Sequence, residues 1–216
     1  MKKSLKVFLI VLIISIILIF LIQFTYKSIR TGNNIGKSTN DLIEYILNIS
    51  SYEARLEVTV NSNKTTNQYI LEQYYMEPGY SKQIVREPKN IENLEIICTE
   101  NKLEIRNSNL GLSKIYENYT YLNENLFWLN YIIEECKKEY EIKENEEEII
   151  LGFRIEKYNY KGELYISRKT FLPTKIKILD NNNQNKIYIE YKEIKFNNIQ
   201  ENNIFAFETK DIRKEV

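Results

Sequence analysis

Histidine is absent from all 216 residues. That gap removes Ser–His and Cys–His nucleophile pairs, imidazole general bases and most zinc sites. Carboxylate-only chemistry survives it, but paired catalytic carboxylates need a gap of about 5–9 Å across a cleft. The acid pairs here, Glu134 with Glu135 and Glu146 to Glu148, are sequence neighbours on charged stretches. We expect no enzyme activity, no catalytic residue, no metal and no cofactor. Net charge is missing too, with 30 basic against 30 acidic residues, so no whole-chain field points to nucleic acid. Fixed-period repeats and low-complexity linkers are also lacking, which leaves one domain from Ser38 onward. Ile, Asn, Lys, Tyr and Glu dominate in the manner of an AT-rich coding sequence, and the asparagines are not read as functional. Nor are the tyrosine pairs read as sugar-stacking, since tyrosine suits half-buried strand positions.

What is present begins with an apolar run. Lys2, Lys3 and Lys6 precede unbroken hydrophobicity from Val7 to Ile22, extended by Phe24 and the interfacial Tyr26. Roughly 20 residues of helix reach ~30 Å, enough to span a bilayer. A secretory signal has a shorter core and a small-residue cleavage site; "IQFTYKSIR" has no such site and no lipobox cysteine. The expectation is a single uncleaved transmembrane helix over 1–30, a Gly/Asn linker over 31–37, and a domain over 38–216. The positive-inside count is nearly a draw, Lys27, Arg30 and Lys37 standing on the far side. The short N-terminal tail favours the N-terminus inside, which anchors the domain on the extracytoplasmic side of the cytoplasmic membrane. Without the first three lysines, 30 basic residues become 27 against 30 acidic, a mild balance of about −3.

Beyond the linker, Ser38 or Thr39 caps a short helix with Leu42, Ile43, Ile46 and Leu47 at helical spacing. "YEARLEVTV" then alternates, with Ala54, Leu56, Val58 and Val60 on one face. "QYILEQYYM", "YSKQIVRE", "LEIICTE", "KLEIRN" and "KIYENYTYL" follow as strands. The period changes once: "NENLFWLNYIIEECKKEY" sets Leu126, Leu129, Ile132 or Ile133, Cys136 and Tyr140 on one helical stripe, capped by Asn123 or Asn125. The acidic run Glu139 to Ile150 reads as a solvated loop. Strands resume in "EIILGFRIEKYNY", "GELYISR", "PTKIKILD" and "KIYIEYKEIKF". Without βα alternation the sheet is antiparallel. The expected fold is α+β: a strongly curved antiparallel sheet, an open half-barrel, with helices covering its concave side.

Cys98 shares strand parity with Leu94 and Ile96, while Cys136 lies on the apolar helix stripe, so both point inward. A disulfide between them is chemically allowed outside the cytoplasm and would stabilise by ~2–4 kcal/mol. Two ordinary buried thiols are the other reading. Phe127, Trp128, Leu129, Ile132 and Ile133 are candidates for binding a partner or a lipid, since aromatics suit a pocket mouth or a docking patch; burial in the core is the other reading, and the one that aromatic burial favours for Phe127 and Trp128.

From Leu172 and Pro173 onward the sequence resembles a known family. Leu-Pro opens a strand, Asp180 to Asn183 form a polar turn, Phe196 and Asn197 end the next strand, and Ile204, Phe205 and Phe207 close it. This pattern resembles the C-terminal half of the LolA/LolB-like lipoprotein-carrier fold, and within it the GerS-related germination proteins of spore-forming bacteria. The resemblance implies a membrane-anchored binding module that docks on and supports a cell-wall amidase acting on the spore cortex, a homodimer being compatible. The alternative it leaves is a lipid or lipoprotein acyl-chain carrier. The chain departs from the GerS-related proteins in lacking the lipobox cysteine, a transmembrane helix standing in its place. A tether of that kind argues against shuttling more than against docking.

Overall fold

The computed structural model describes residues 38–62, 64–99, 101–119, 125–199 and 202–206. The chain divides into two units, Met1–Asn40 and Asp41–Val216, and the architecture below is that of the second. The expected anchor over 1–30 and linker over 31–37 lie outside the described residues. Among the described residues, no helix is long and apolar enough to cross a membrane.

Helix α1 spans Thr39–Leu47 and buries Leu42, Ile43, Ile46 and Leu47, the stripe its spacing predicts. Six strands follow: β1 (Ser51–Asn61), β2 (Thr66–Met76), β3 (Tyr80–Glu87), β4 (Leu94–Thr99), β5 (Lys102–Asn107) and β6 (Leu112–Glu117). Helix α2 (Leu129–Lys138) separates them from β7 (Glu141–Glu144), β8 (Glu148–Ile155), β9 (Tyr160–Ser167), β10 (Pro173–Leu179) and β11 (Asn185–Phe196). All pairings are antiparallel, and the order is β6-β5-β4-β3-β2-β1-β11-β10-β9-β8-β7. Each half is therefore a meander, and the halves join at the centre where β1 pairs β11. The sheet stays open, with β6 and β7 as its edges.

Strand alternation puts one side of this sheet in the core. A single row of Val58, Ile189, Ile176, Leu164 and Leu151 crosses five strands in register, each residue almost fully buried. Burying an aliphatic side chain stabilises by about 1.5–3 kcal/mol, so this row alone makes a one-residue register slip costly. Both helices contribute to the same cluster, α2 through Leu129, Ile132, Ile133 and Cys136. On the opposite face, the 3-10 turn Asn202–Phe205 brings Phe205 and Ile204 back over Ile97, Tyr74 and Tyr80.

Three local readings are corrected. The acidic run Glu139 to Ile150 is not a loop: Ile142 pairs with Leu151 across β7 and β8, and only the turn around Asn145 separates the strands. "EIILGFRIEKYNY" is two strands, broken by a 3-10 turn at Glu156–Tyr158 that Asn159 closes at φ 54°. Helix α2 starts later than an Asn123 or Asn125 cap implies: Asn125 Oδ1 accepts from the Phe127 N–H and shapes a turn ahead of the helix.

Asparagine takes a structural role where glycine is scarce. Asn93, Asn118, Asn159, Asn183 and Asn197 all hold the left-handed backbone conformation, which asparagine tolerates better than most side chains do. The residues that carry the family resemblance gain physical reasons. Asn197 Oδ1 accepts from the Ser50 N–H and hydroxyl, both at 3.1 Å, tying the end of β11 to the start of β1. Asp180 Oδ1 accepts from the Asn182 and Gln184 N–H groups at 2.9 Å, building the β10–β11 turn. Pro173 is buried as the first residue of β10. Phe207 lies outside the described residues.

Candidate functional site

Three surfaces can carry a function: the helix-covered face, the groove beside α2, and the two sheet edges. The covered face holds every candidate binding residue named from the sequence. Trp128, Leu129, Ile132 and Ile133 are buried in the main core cluster, and Phe127 packs against it half-buried. The helix thus presses its apolar side into the sheet, against β8 in particular.

How α2 is held there depends on polar groups inside the core. The residue ahead of the helix, Trp128, provides no side-chain cap. Instead the Leu129 N–H donates to the Tyr52 hydroxyl from β1 at 3.2 Å, so an orphan helix-start donor is satisfied from 77 residues away. Tyr52 in turn lies 3.4 Å from Gln73 Oε1. Gln73 Nε2 donates to Gln83 Oε1 at 3.0 Å and to the Phe127 carbonyl at 3.1 Å. Tyr52 and Gln73 are fully buried, and burial pushes the Tyr52 hydroxyl well above the usual tyrosine range. No local sequence pattern announces this network, because its members sit on three separate strands and a turn. Tyr191 points into the same core, and its hydroxyl has no hydrogen-bond partner among the described residues.

A groove of about 920 Å³ opens beside α2, lined by Tyr75, Glu77, Asn130, Glu134, Lys138 and Glu156 among others. Acyl-chain sites are lined predominantly by apolar side chains, whereas this lining mixes Tyr75, Pro78 and Tyr131 with acidic and basic side chains. Glu134 and Glu135 fall on α2 and form i,i+3 ion pairs with Lys137 and Lys138. Among the described residues, no group of three or more His, Cys, Asp or Glu is placed to hold a metal ion.

Cys98 and Cys136 both point inward, as strand parity and the helix stripe imply, but the disulfide weighed for them is not formed and both are free thiols. Cys136 belongs to the main core cluster while Cys98 stands outside it. Burial pushes Cys98 up to about 11 and, with Glu135 nearby, Cys136 up to about 12. Thiols held protonated in this way are weak nucleophiles for exchange.

The edges differ in kind. Strand β7 is four residues long and three of them are charged, which blunts an edge against further pairing. Strand β6 is longer, pairs β5 without a register shift, and is largely exposed. Leu110, Leu112 and Ile115 are respectively 62%, 59% and 47% exposed there. The sequence predicts a strand here, but nothing in it says that this strand ends the sheet.

An uncharacterised conserved protein from Thermus thermophilus superposes with a TM-score of 0.53 at 11% identity, covering 81% of this chain and 96% of that one. The LolA superfamily protein NE2245 from Nitrosomonas europaea matches with a TM-score of 0.43 at 12% identity, covering 80% and 99%. A chain from the complex of the CwlD amidase with the GerS lipoprotein from Clostridioides difficile matches with a TM-score of 0.45 at 24% identity, covering 73% and 95%. Of these three, the first superposition alone has a TM-score above 0.5, and it speaks only to the fold. No curated protein matches the sequence. A family model described as sporulation protein YdcC-like matches residues 5–205. The chain belongs to the YdcC-like sporulation protein family.

Proposed function

We propose that this chain is a membrane-tethered sporulation module without catalysis of its own, which docks on an exported cell-wall amidase and supports it. In this reading the N-terminal apolar run holds the domain on the outer side of the cytoplasmic membrane. The sheet curves as a LolA-like half-barrel, with its concave side closed by the helices. The partner class comes from the resemblance of the C-terminal strands to GerS-related proteins, and the setting from the family.

The observation that carries the reading is the burial of the apolar side of α2 against the sheet. A carrier of acyl chains needs an apolar cavity of several hundred Å³. Here Trp128, Leu129 and Ile132 occupy the covered face, each no more than 2% exposed, and the network of Tyr52, Gln73 and Gln83 locks the segment leading into the helix. Such a helix serves as a plug. What remains to bind with is outer surface, which suits a protein partner. The alternative, a lipid or lipoprotein carrier, has no observation of comparable weight.

The test is affinity recovery of the full-length protein from sporulating native cells, with mass spectrometry of the protein and lipid fractions. A cell-wall amidase recovered in near-stoichiometric amount is the expected result. Recovery of lipid or a lipoprotein with no amidase overturns the proposal and favours the carrier.

A further inference from the structure

We propose that the amidase is gripped at the β6 edge, by an extended segment that adds to the sheet as one more strand and brings a carboxylate to Lys114. This inference rests on the docking reading above and says where, and by what chemistry, the partner is held.

Among the described residues, strand β6 is hydrogen-bonded on one side only, by β5. Along its other side run N–H and C=O groups that no described strand pairs, and these form a template for an incoming strand. Proteins that must not pair there shorten the edge, charge it, bulge it or place proline in it. Strand β7 shows two of those devices, being short and charged. Strand β6 runs six residues as Leu-Ser-Lys-Ile-Tyr-Glu, with no proline and no bulge in its pairing. Of the seven large hydrophobic residues exposed among the described residues, three fall between Leu110 and Ile115. That clustering separates this edge from single surface apolar residues, which need no explanation.

Charge narrows the occupant. On neighbouring strands the cations are matched: Lys102 with Glu117 at 3.3 Å, and Arg106 with Glu95 at 2.7 Å. Among the described residues Lys114 meets the Tyr116 ring, its Nζ 4.8 Å from the centroid, and no carboxylate. Alternation puts Leu112, Lys114 and Tyr116 on one face and Ser113 and Ile115 on the other. A matching strand therefore sets an Asp or Glu beside Lys114, with apolar or aromatic neighbours two residues away toward Leu112 and Tyr116. On its other face it sets an apolar side chain against Ile115. Backbone pairing supplies affinity, and these positions supply selectivity.

The experiment repeats the recovery from sporulating cells with full-length Leu112→Lys/Ile115→Lys and Lys114→Glu chains, and with Ile142→Lys on β7 as control. Circular dichroism and the thermal midpoint establish that each variant is folded. The expected result is about a tenfold fall in recovered amidase for the two β6 variants, a hot-spot-sized effect, with the β7 control unchanged. If the wild type recovers no amidase, the docking reading fails and this inference with it. If the wild type holds amidase and the folded β6 variants hold it equally, the edge inference alone fails. A wild-type dimer by sedimentation that Leu112→Lys/Ile115→Lys dissolves puts a second copy on the edge and overturns the assignment to the amidase.

Discussion

Removing one oxygen from each of two core tyrosines should destabilise the protein at one position and not at the other. Tyr52 and Tyr191 both point into the main cluster, but only Tyr52 uses its hydroxyl. Tyr52→Phe leaves the Leu129 N–H without its acceptor at the uncapped start of α2, and deprives Gln73 Oε1 of a contact at 3.4 Å. A buried donor left unsatisfied costs about 1–3 kcal/mol, and loss of a helix N-cap about 0.5–2. The Gln73 Oε1 contact is long, and Gln73 stays anchored through the two bonds of its Nε2, so we expect about 1–2 kcal/mol of destabilisation. Tyr191→Phe deletes a hydroxyl that burial alone has forced out of water, with no bond lost. Its effect should lie between neutral and a gain of about 1 kcal/mol. For a domain of this size each kcal/mol moves the thermal midpoint about 2–4 °C, so the variants should melt several degrees apart, Tyr52→Phe below. Urea titrations with matching m-values give the same difference free of heat-capacity effects. A Tyr52→Phe chain as stable as Tyr191→Phe refutes the claim that the buried network positions α2.

Other perturbations test other parts of the molecule. A Cβ on Gly162 would stand 2.1 Å from the Phe153 ring on β8, so Gly162→Ala should cost about 1–3 kcal/mol. Adding Phe153→Leu should recover much of that loss in a double-mutant cycle. Trp128→Ala empties a fully buried site and should lower the unfolding free energy by about 3–5 kcal/mol in urea denaturation. Glu95 is pushed up by burial, yet hydrogen bonds from Arg106 and Lys82 outweigh this and hold it below its ordinary 4.5. A depressed carboxylate contributes stability that is complete above its unfolded value and lost as pH falls through the folded one. Wild type should therefore lose more stability than Glu95→Gln as pH drops below about 4.5, compared by urea midpoints. A thiol reagent at pH 8 should leave native Cys98 and Cys136 unmodified and label both on unfolding without reductant; failure to label either would reveal a bridge.

Strands are the legible part of this sequence, because a period of two survives in the residues themselves. "YEARLEVTV" places Ala54, Leu56, Val58 and Val60 on the covered face, and "YSKQIVRE" coincides with β3. Helix α1 is legible for the same local reason. The hairpin at Glu156–Tyr158 escapes a sequence reading because Gly162 looks like the turn. That glycine lies mid-strand beneath a phenylalanine, while Asn159 makes the turn. The start of α2 escapes it because Tyr52 fixes that start from across the core, a contact no window of sequence contains. The candidate site divides along the same line. The apolar residues from Phe127 to Ile133 can be named from sequence, but whether they face a partner or the core depends on where the sheet lies. The β6 edge can be read as a strand, and only strand order shows that nothing described covers its outer side.

The seam between β1 and β11 gives the chain an unusual vulnerability to time. Within each half, every strand meets a neighbour just before or after it, so hairpins can form as soon as they emerge. The central pairing instead joins Tyr52 to Phe196, and β1 must keep one side vacant until nearly the whole domain has been made. A chain shortened at its C-terminus would therefore lose the keystone of the sheet. For a domain made from its N-terminus, the last long strand to arrive is the one that closes the middle.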